Sequence, residues 1–395
     1  MKNSRQIKPA YWLPILLFVL LITAPFLGTF FKWDFYPPQA ENRPMAKKPV
    51  FRELPFAQWP EKITAWFEDH FGFRSTFIRR YNGISRDWFA RQPSSVIVTA
   101  KGWLFTTSEG VMSDFMGLRV LSKDELNRKY ESLAGRQCWL QQKGIGYLWV
   151  VPPNKSVVYP EELTPELQAA RGTDGVAQMM NFFDRTNSIL HRLDLRSTLL
   201  EHKTDGVLYF SNDTHWDPLG SYFGYRAVID ALRSQMPNIG DPVPLADCRT
   251  SPARWTGDLI PFVGDGKNRD IDYMEIDPPQ ELLSGLETVP ADELPDRPKS
   301  IVEMLIVRNP ARTGRVVVFH DSFAKQGWKK FLPLHFNETV FLLAARPDKA
   351  LWDYAIETFH PDLIIEEQVH RMVLHKQQPE DPAWTAAFKN AQSAK

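Results

Sequence analysis

Net charge is absent from this 395-residue sequence: 47 Lys and Arg balance 47 Asp and Glu. Without a basic excess there is no electrostatic footprint for nucleic acid, and none is expected as a partner. Cysteine is almost absent as well, with only Cys138 and Cys248. Two thiols cannot supply a structural zinc site. In an exported chain they form one disulfide or remain two buried thiols, and the sequence leaves both readings open. A third absence is local. From Ala10 to Phe31 no residue is charged, while Lys2, Arg5 and Lys8 precede the run and leave −3 on the remainder. The run has the length of one membrane-crossing helix, and its basic flank predicts a cytoplasmic N-terminus. A cleaved signal peptide starts in the same way. The run lacks a clear small-x-small cleavage site and is long for a signal peptide, so a retained single-pass anchor is expected.

Hydrophobic residues at 43% and charged residues at 24% describe a folded chain and argue against extensive disorder. The 13 Trp suit a large core as well as they suit sugar-stacking surfaces. After the anchor at 1–31, residues 32–60 carry Pro37, Pro38, Pro44, Pro49, Pro55 and Pro60 and read as an extended stalk. A domain is expected at 61–375 and a polar tail at 376–395. Its first part, with Trp66, Phe67, Phe71, Phe73, Phe77, Ile78, Tyr81 and Trp88, reads as helices around Gly72, in which His70 is structural.

Alternation of helix and strand follows. Ser122 and Glu125 form a capping-box pattern ahead of a helix that ends at Gly144, and 146–151 is an apolar strand stopped by Pro152-Pro153. A helix runs from about Asp174 to Leu190. Asp217-Pro218 opens another through Tyr222, Tyr225, Ile229 and Leu232. Residues 237–300 read as an irregular excursion that leaves room for short strands, and not as a separate domain. The final part gives strand 315–319, helix 324–331, strand 339–344, helix 348–358 and strand 362–366. That series predicts an α/β fold with a parallel sheet flanked by helices.

Two stretches carry candidate chemistry. In Ser211-Asn212-Asp213-Thr214-His215-Trp216, extended backbone would project Asp213 and His215 from one face. The other stretch, Val316-Val317-Val318-Phe319-His320-Asp321-Ser322, ends an apolar strand in a hydroxyl at the place where parallel sheets bind ligands. Serine needs a base and histidine needs a partner that fixes its tautomer, so Asp213, His215 and Ser322 form the minimum set for acyl transfer through a serine ester. Taken singly, they read as a turn residue, a core histidine and a helix cap. The Ser322 amide and Gly257 are candidate oxyanion donors, Gly257 reading equally as a turn. Trp216, Tyr222, Lys325 and Trp328 are candidate sugar contacts, with packing the competing account of the aromatics. Glu366, Glu367 and Arg371 read as a structural ion pair.

Further runs complete a pattern: Asp69-His70-Phe71-Gly72-Phe73-Arg74, Gly102-Trp103-Leu104-Phe105, Val151-Pro152-Pro153-Asn154-Lys155 and Tyr159-Pro160-Glu161. With Asp213-Thr214-His215-Trp216 and His320-Asp321-Ser322-Phe323 they resemble the alginate O-acetyltransferase family of the AlgJ/AlgX type, over roughly residues 55–375. The resemblance implies a permuted SGNH-hydrolase-like domain and periplasmic O-acetylation of an exopolysaccharide. It also implies an inner-membrane partner of the membrane-bound O-acyltransferase type that supplies the acetyl group. Asp213 and His215 match the family's D-x-H and Ser322 its nucleophile, whereas His320 stands where the family often has glycine. No carbohydrate-binding domain is expected after residue 375, and no cofactor or metal is expected. Three other readings share these residues: a metal-dependent phosphoesterase using Asp213, His215 and His320-Asp321, though without the usual Gly-Asn-His-Asp segment; an acetylesterase with the same triad; and a non-catalytic polysaccharide-binding protein.

Overall fold

The computed structural model describes residues 12–31, 33–35, 45–50, 52, 55–77, 80, 95–186, 188–263, 269–344, 346–375 and 381–393. Lys2, Arg5 and Lys8, three of the stalk prolines (Pro37, Pro38 and Pro44), and Ile78, Tyr81 and Trp88 lie outside the described residues. The chain divides into two units, one of residues 1–94 with 260–268 and one of 95–259 with 269–395. The segment from residue 61 to 94 therefore groups with the apolar N-terminal helix, and the α/β body begins at Ser95.

In the first unit, helix α1 (Trp12–Phe31) is long and apolar enough to cross a membrane, and Gly28 is its one buried residue. Pro60 stands in the first turn of α2 (Trp59–His70), where its missing N–H costs nothing. His70 is structural, its Nδ1 2.8 Å from the Trp66 carbonyl and its ring stacked on Trp66.

The second unit is built on a seven-stranded sheet. In chain order the strands are β1 (Val96–Val98) and β2 (Leu104–Thr106), which form a separate antiparallel pair, then β3 (Gly146–Val151), β4 (Arg192–Asp194), β5 (Arg249–Trp255), β6 (Ile271–Asp277), β7 (Glu287–Thr288), β8 (Met304–Arg308), β9 (Arg315–His320), β10 (Glu338–Leu343) and β11 (Leu363–Glu367). The large sheet runs β4-β3-β11-β9-β10-β8-β7. Pairing is parallel from β4 to β10 and antiparallel at the β8 and β7 edge, so the expected parallel sheet carries an antiparallel margin. Strand alternation sorts the core into two layers. Tyr147, Trp149, Val317, Phe319 and Ile364 face one side, and Leu148, Val150, Val316, Val318 and Ile365 face the other.

Local sequence places the flanking helices. Ser122 accepts from the Glu125 amide while the Glu125 carboxylate accepts from the Ser122 amide, which starts α3 (Lys123–Gln141). Asp174 caps α4 (Gly175–Arg185) and Asp217 caps α5 (Pro218–Leu232). The helix expected at 324–331 is two short turns, α6 (Ser322–Lys325) and α7 (Trp328–Phe331), separated where Gly327 takes φ 106°. Asp348 caps α8 (Lys349–Phe359).

One expectation changes, and two readings left open are decided. Residues 237–300 contain the antiparallel ribbon β5–β6, paired from Arg249 with Asp277 to Trp255 with Ile271. The stretch after 375 is not only a polar tail, because Pro382–Ser393 forms helix α9 and buries Trp384, Ala387 and Phe388 on one face. Gly135 of α3 permits the contact, since a Cβ there would fall 2.6 Å from the Trp384 carbonyl oxygen. Burying Trp384 and Phe388 contributes about 1.5–3 kcal/mol each. Finally, Cys138 and Cys248 are both thiols. Cys138 packs in one layer of the core and Cys248 against the other, so the sheet stands between them and no disulfide joins them.

Candidate active site

Ser322 follows the carboxyl end of β9, in the middle of the sheet. Asp321 fixes the turn: one carboxylate oxygen accepts from the Phe323 amide at 2.8 Å and the other from the Val369 amide at 2.7 Å. Beneath it, Glu367 accepts from the Asp321 amide at 3.0 Å. Burial and then the Asp321 charge push the Glu367 carboxyl well above the usual range. Trp216 Nε1 donates to the Phe323 carbonyl at 3.0 Å and secures the turn from the other side.

Asp213 and His215 are not on an extended strand. A bridge between Tyr209 and Trp216 closes a tight turn, and Asp213 folds back so that Oδ1 accepts from the His215 amide at 2.8 Å. The same oxygen lies 2.6 Å from His215 Nδ1, and His215 Nε2 lies 2.7 Å from Ser322 Oγ. The three side chains singled out in the sequence lie together, and their shared face comes from a turn. Asp213 is fully buried and His215 nearly so, leaving Ser322 as the partly accessible end of the chain. Burial alone would raise the Asp213 pKa. Hydrogen bonds and charge from His215, with further amide donors, reverse this and hold the carboxyl below the usual carboxylate range.

The ribbon supplies what the sequence did not reveal. Trp255 Nε1 donates to Asp213 Oδ2 at 2.8 Å, and the Asp258 amide donates to the same oxygen at 2.9 Å. Asp258 accepts from the Thr214 amide at 2.8 Å and from its hydroxyl at 2.6 Å, and one of its oxygens is 3.7 Å from His215 Nδ1. Burial and then the Asp213 charge raise the Asp258 pKa. Gly257 lies between these donors. A Cβ there would fall 2.0 Å from the Asn212 carbonyl oxygen, so its lack of a side chain serves backbone packing behind Asp213. Lys155 of the Pro-Pro-Asn-Lys run is buried below, its Nζ 3.0, 3.2 and 2.5 Å from the carbonyls of Phe210, Ser211 and Asp213. Burial pushes the amine down to about 7 despite Asp213 and Asp258 nearby.

The remaining candidates fall elsewhere. Trp216, Tyr222 and Trp328 are buried, with the Tyr222 hydroxyl on the Val243 carbonyl and Trp328 Nε1 on that of Ser221, so they are core residues and not sugar contacts. Lys325 is exposed and pairs with Glu303 at 2.8 Å. Glu366 is paired with Arg136, not Arg371, and accepts from the Tyr147 hydroxyl at 2.6 Å. Arg371 instead meets Glu109 at 3.0 Å. His320 is buried behind the sheet end with Nδ1 2.6 Å from the Asp321 carbonyl, and burial lowers its pKa to about 4. Neither it nor Asp321 joins Asp213 and His215. The carboxylate grouped with those two is Asp258.

A family model of the SGNH hydrolase-like domain of acetyltransferase AlgX matches residues 96–332, more than half of the chain. Two curated relatives are each named probable alginate O-acetylase AlgJ. The one from Pseudomonas aeruginosa is 30% identical over 127 residues, covering 32% of this chain and 30% of that protein. The one from Pseudomonas putida is 27% identical over 168 residues, covering 42% of each. The chain therefore spans less than half the length of these relatives. Among solved structures, Bacillus cereus PatB1 with a sulfonyl adduct overlays with a TM-score of 0.52 at 14% identity, covering 72% of this chain and 99% of that one, a likeness of fold. With that match over more than half of its length, this chain belongs to the ALGX family of SGNH hydrolase-like acetyltransferase domains.

Proposed function

We propose that this chain transfers acetyl groups to hydroxyls of a secreted or cell-surface polysaccharide through an acetyl ester on Ser322. The observation that carries this is the continuous chain from Ser322 Oγ through His215 to Asp213, at 2.7 and 2.6 Å. Asp213 accepts a hydrogen bond from Nδ1–H and so fixes that tautomer, which leaves Nε2 as the base facing the serine hydroxyl. Ser322 Oγ attacks the donor carbonyl as Nε2 removes its proton. The tetrahedral oxyanion collapses, and the donor's leaving oxygen takes that proton from His215. A sugar hydroxyl then gives its proton to Nε2 while its oxygen attacks the acetyl ester, and the serine oxygen leaves as the alcohol. The Ser322 amide is the proposed first oxyanion donor.

Trp255, the Asp258 amide and Lys155 hold the basic partners in place, so the chemistry needs no rearrangement of the buried end. Helix α1 anchors the chain in the inner membrane with the body in the periplasm. A membrane-bound O-acyltransferase is the proposed acetyl supplier. The two relatives named as alginate acetylases make a uronate polymer the first acceptor to try.

An artificial acetyl ester as donor tests the reading. Mass spectrometry should find an acetyl group on Ser322, acetate release should be slow alone, and a matching oligosaccharide should speed donor turnover and become acetylated. Fast acetate release with no glycan acetylated would make the protein an esterase. Unchanged turnover in Ser322→Ala would remove the serine from the reaction.

A further inference from the structure

The Asp69-His70-Phe71-Gly72-Phe73-Arg74 run takes no part in the proposed chemistry. It packs within the first unit on the last turns of α1. Pro25, Gly28 and Thr29 form one face of that helix end. Gly72 lies so close to it that an added Cβ would fall 2.5 Å from backbone atoms of Gly28 and 2.7 Å from the Pro25 carbonyl oxygen. The Gly72 amide is 3.1 Å from both the Pro25 carbonyl and the Thr29 hydroxyl. The contact continues past the helix. The Phe73 amide donates to the Trp33 carbonyl at 2.7 Å, and the Asp34 carboxylate accepts from the amides of Ser75 and Thr76 at 2.7 and 3.1 Å. Phe73 adopts φ 62°, a left-handed conformation that costs a residue with a side chain and is held by these bonds.

The depth of this knot follows from helix geometry. Gly28 is three residues before the end of α1, about 4.5 Å along the axis at about 1.5 Å per residue. A 20-residue helix is about as long as the hydrocarbon core is thick, so a bilayer crossed by α1 has its boundary at the level of Gly28 and Gly72. Backbone at that depth must be satisfied internally, and the Gly72 amide is. Around the knot are aromatic rings facing outward: Trp33 is 49% exposed, Phe35 79% and Phe77 44%, with Phe35 stacked on Phe73 at 5.6 Å. Such rings are costly in water and are enriched where membrane meets water.

We infer that the 71–77 turn, with Trp33 and Phe35, is a second membrane contact, an aromatic collar seated in the bilayer interface where α1 emerges. The N-terminal helix is then a folded part of the mature chain. This goes beyond the proposed chemistry and does not depend on it. The occupant is the lipid interface, because the collar is continuous with the helix that crosses it.

The test uses the full chain in nanodiscs of phosphatidylethanolamine and phosphatidylglycerol. Phe35→Cys is combined with Cys248→Ser and labelled with a fluorophore, Cys138 being buried. Lipids brominated near the carbonyl end of the acyl chain should quench most of the signal, and aqueous iodide little. Gly72→Val, which cannot close on Gly28, should reverse that order while acetate release by the body is unchanged. Equal quenching by iodide at Phe35→Cys and at a Leu118→Cys control, itself 69% exposed, would overturn the inference. So would shielding from both quenchers, which would mean a protein partner covers the collar, or a purified chain that begins after Phe31.

Discussion

Replacing Lys155 with methionine separates two effects that its buried ammonium has at once. The variant keeps the side-chain volume but leaves the carbonyls of Phe210, Ser211 and Asp213 without this donor. The Ser211 carbonyl keeps the Leu104 amide at 2.8 Å and the Phe210 carbonyl keeps the Asp213 amide at 3.4 Å, so the loss falls on the Asp213 carbonyl, and a buried acceptor left unpaired costs about 1–3 kcal/mol. Against this, no cation has to be buried. The fall of the lysine from 10.5 to about 7 corresponds to about 5 kcal/mol of burial penalty. The relieved penalty is the larger of the two, and urea denaturation at pH 7 should show no net loss. Activity should suffer more, because the turn that carries Asp213 and His215 loses its tether and a misplacement of about 1 Å costs about a hundredfold in rate.

The pH dependence gives a second readout. Because the folded value lies below the unfolded one, the stability linked to this group is fully present above about pH 10.5 and is lost as pH falls towards 7. The methionine variant should lack that rise between pH 7 and 10.5. A variant with wild-type kcat for acetate release would refute the tethering role, and a variant that keeps the rise would show that another group produces it.

Ser322→Ala and His215→Ala should each abolish most turnover, and the double variant should be scarcely slower than either, since removing a second member of a disabled unit changes little; additive losses would break the unit apart. Gly257→Ala forces the Asn212 backbone away, for a thermal-denaturation loss of about 1–3 kcal/mol and a fall in kcat through Asp213. Wild-type values of both would show that the backbone yields freely. Arg136→Met leaves Glu366 buried without its cation and should cost about 3–5 kcal/mol by denaturation, part of it returned by adding Glu366→Gln, whereas equal losses in single and double variants would mean that packing dominates.

What was legible in the sequence was mostly what is decided locally. The Ser122-Glu125 box, the Asp217 cap and the apolar run into Ser322 each depend on neighbours within a few residues, and the structure has all three. Helix α9 was also within reach, since Trp384, Ala387 and Phe388 repeat at helical spacing, but its polar composition outweighed three residues. The turn that joins Asp213 and His215 was not readable, because a side chain accepting from a backbone amide two residues on leaves no periodic trace. Trp255 reaches Asp213 from 42 residues away, out of a stretch whose Pro, Asp and Gly content signals irregular chain. The role of Lys155 lies in backbone carbonyls, which every sequence has. Burial of Trp216, Tyr222 and Trp328 was a matter of layer, and closeness in sequence to His215 or Ser322 says nothing about which side of the sheet a ring lies on.

The closure of α9 over the core has a consequence for the order in which the protein is made. Arg136 of α3 meets Glu366 of β11, and its guanidinium lies against the rings of both Trp352 and Trp384, at 5.1 and 4.7 Å. Trp384 follows every strand of the sheet along the chain. During synthesis the strands can assemble while this ion pair is still open to water on one side. The last rise in stability comes only when residues 382–393 arrive, so a chain halted before that point has its sheet formed and its charged centre uncovered, the state that proteases and chaperones would meet.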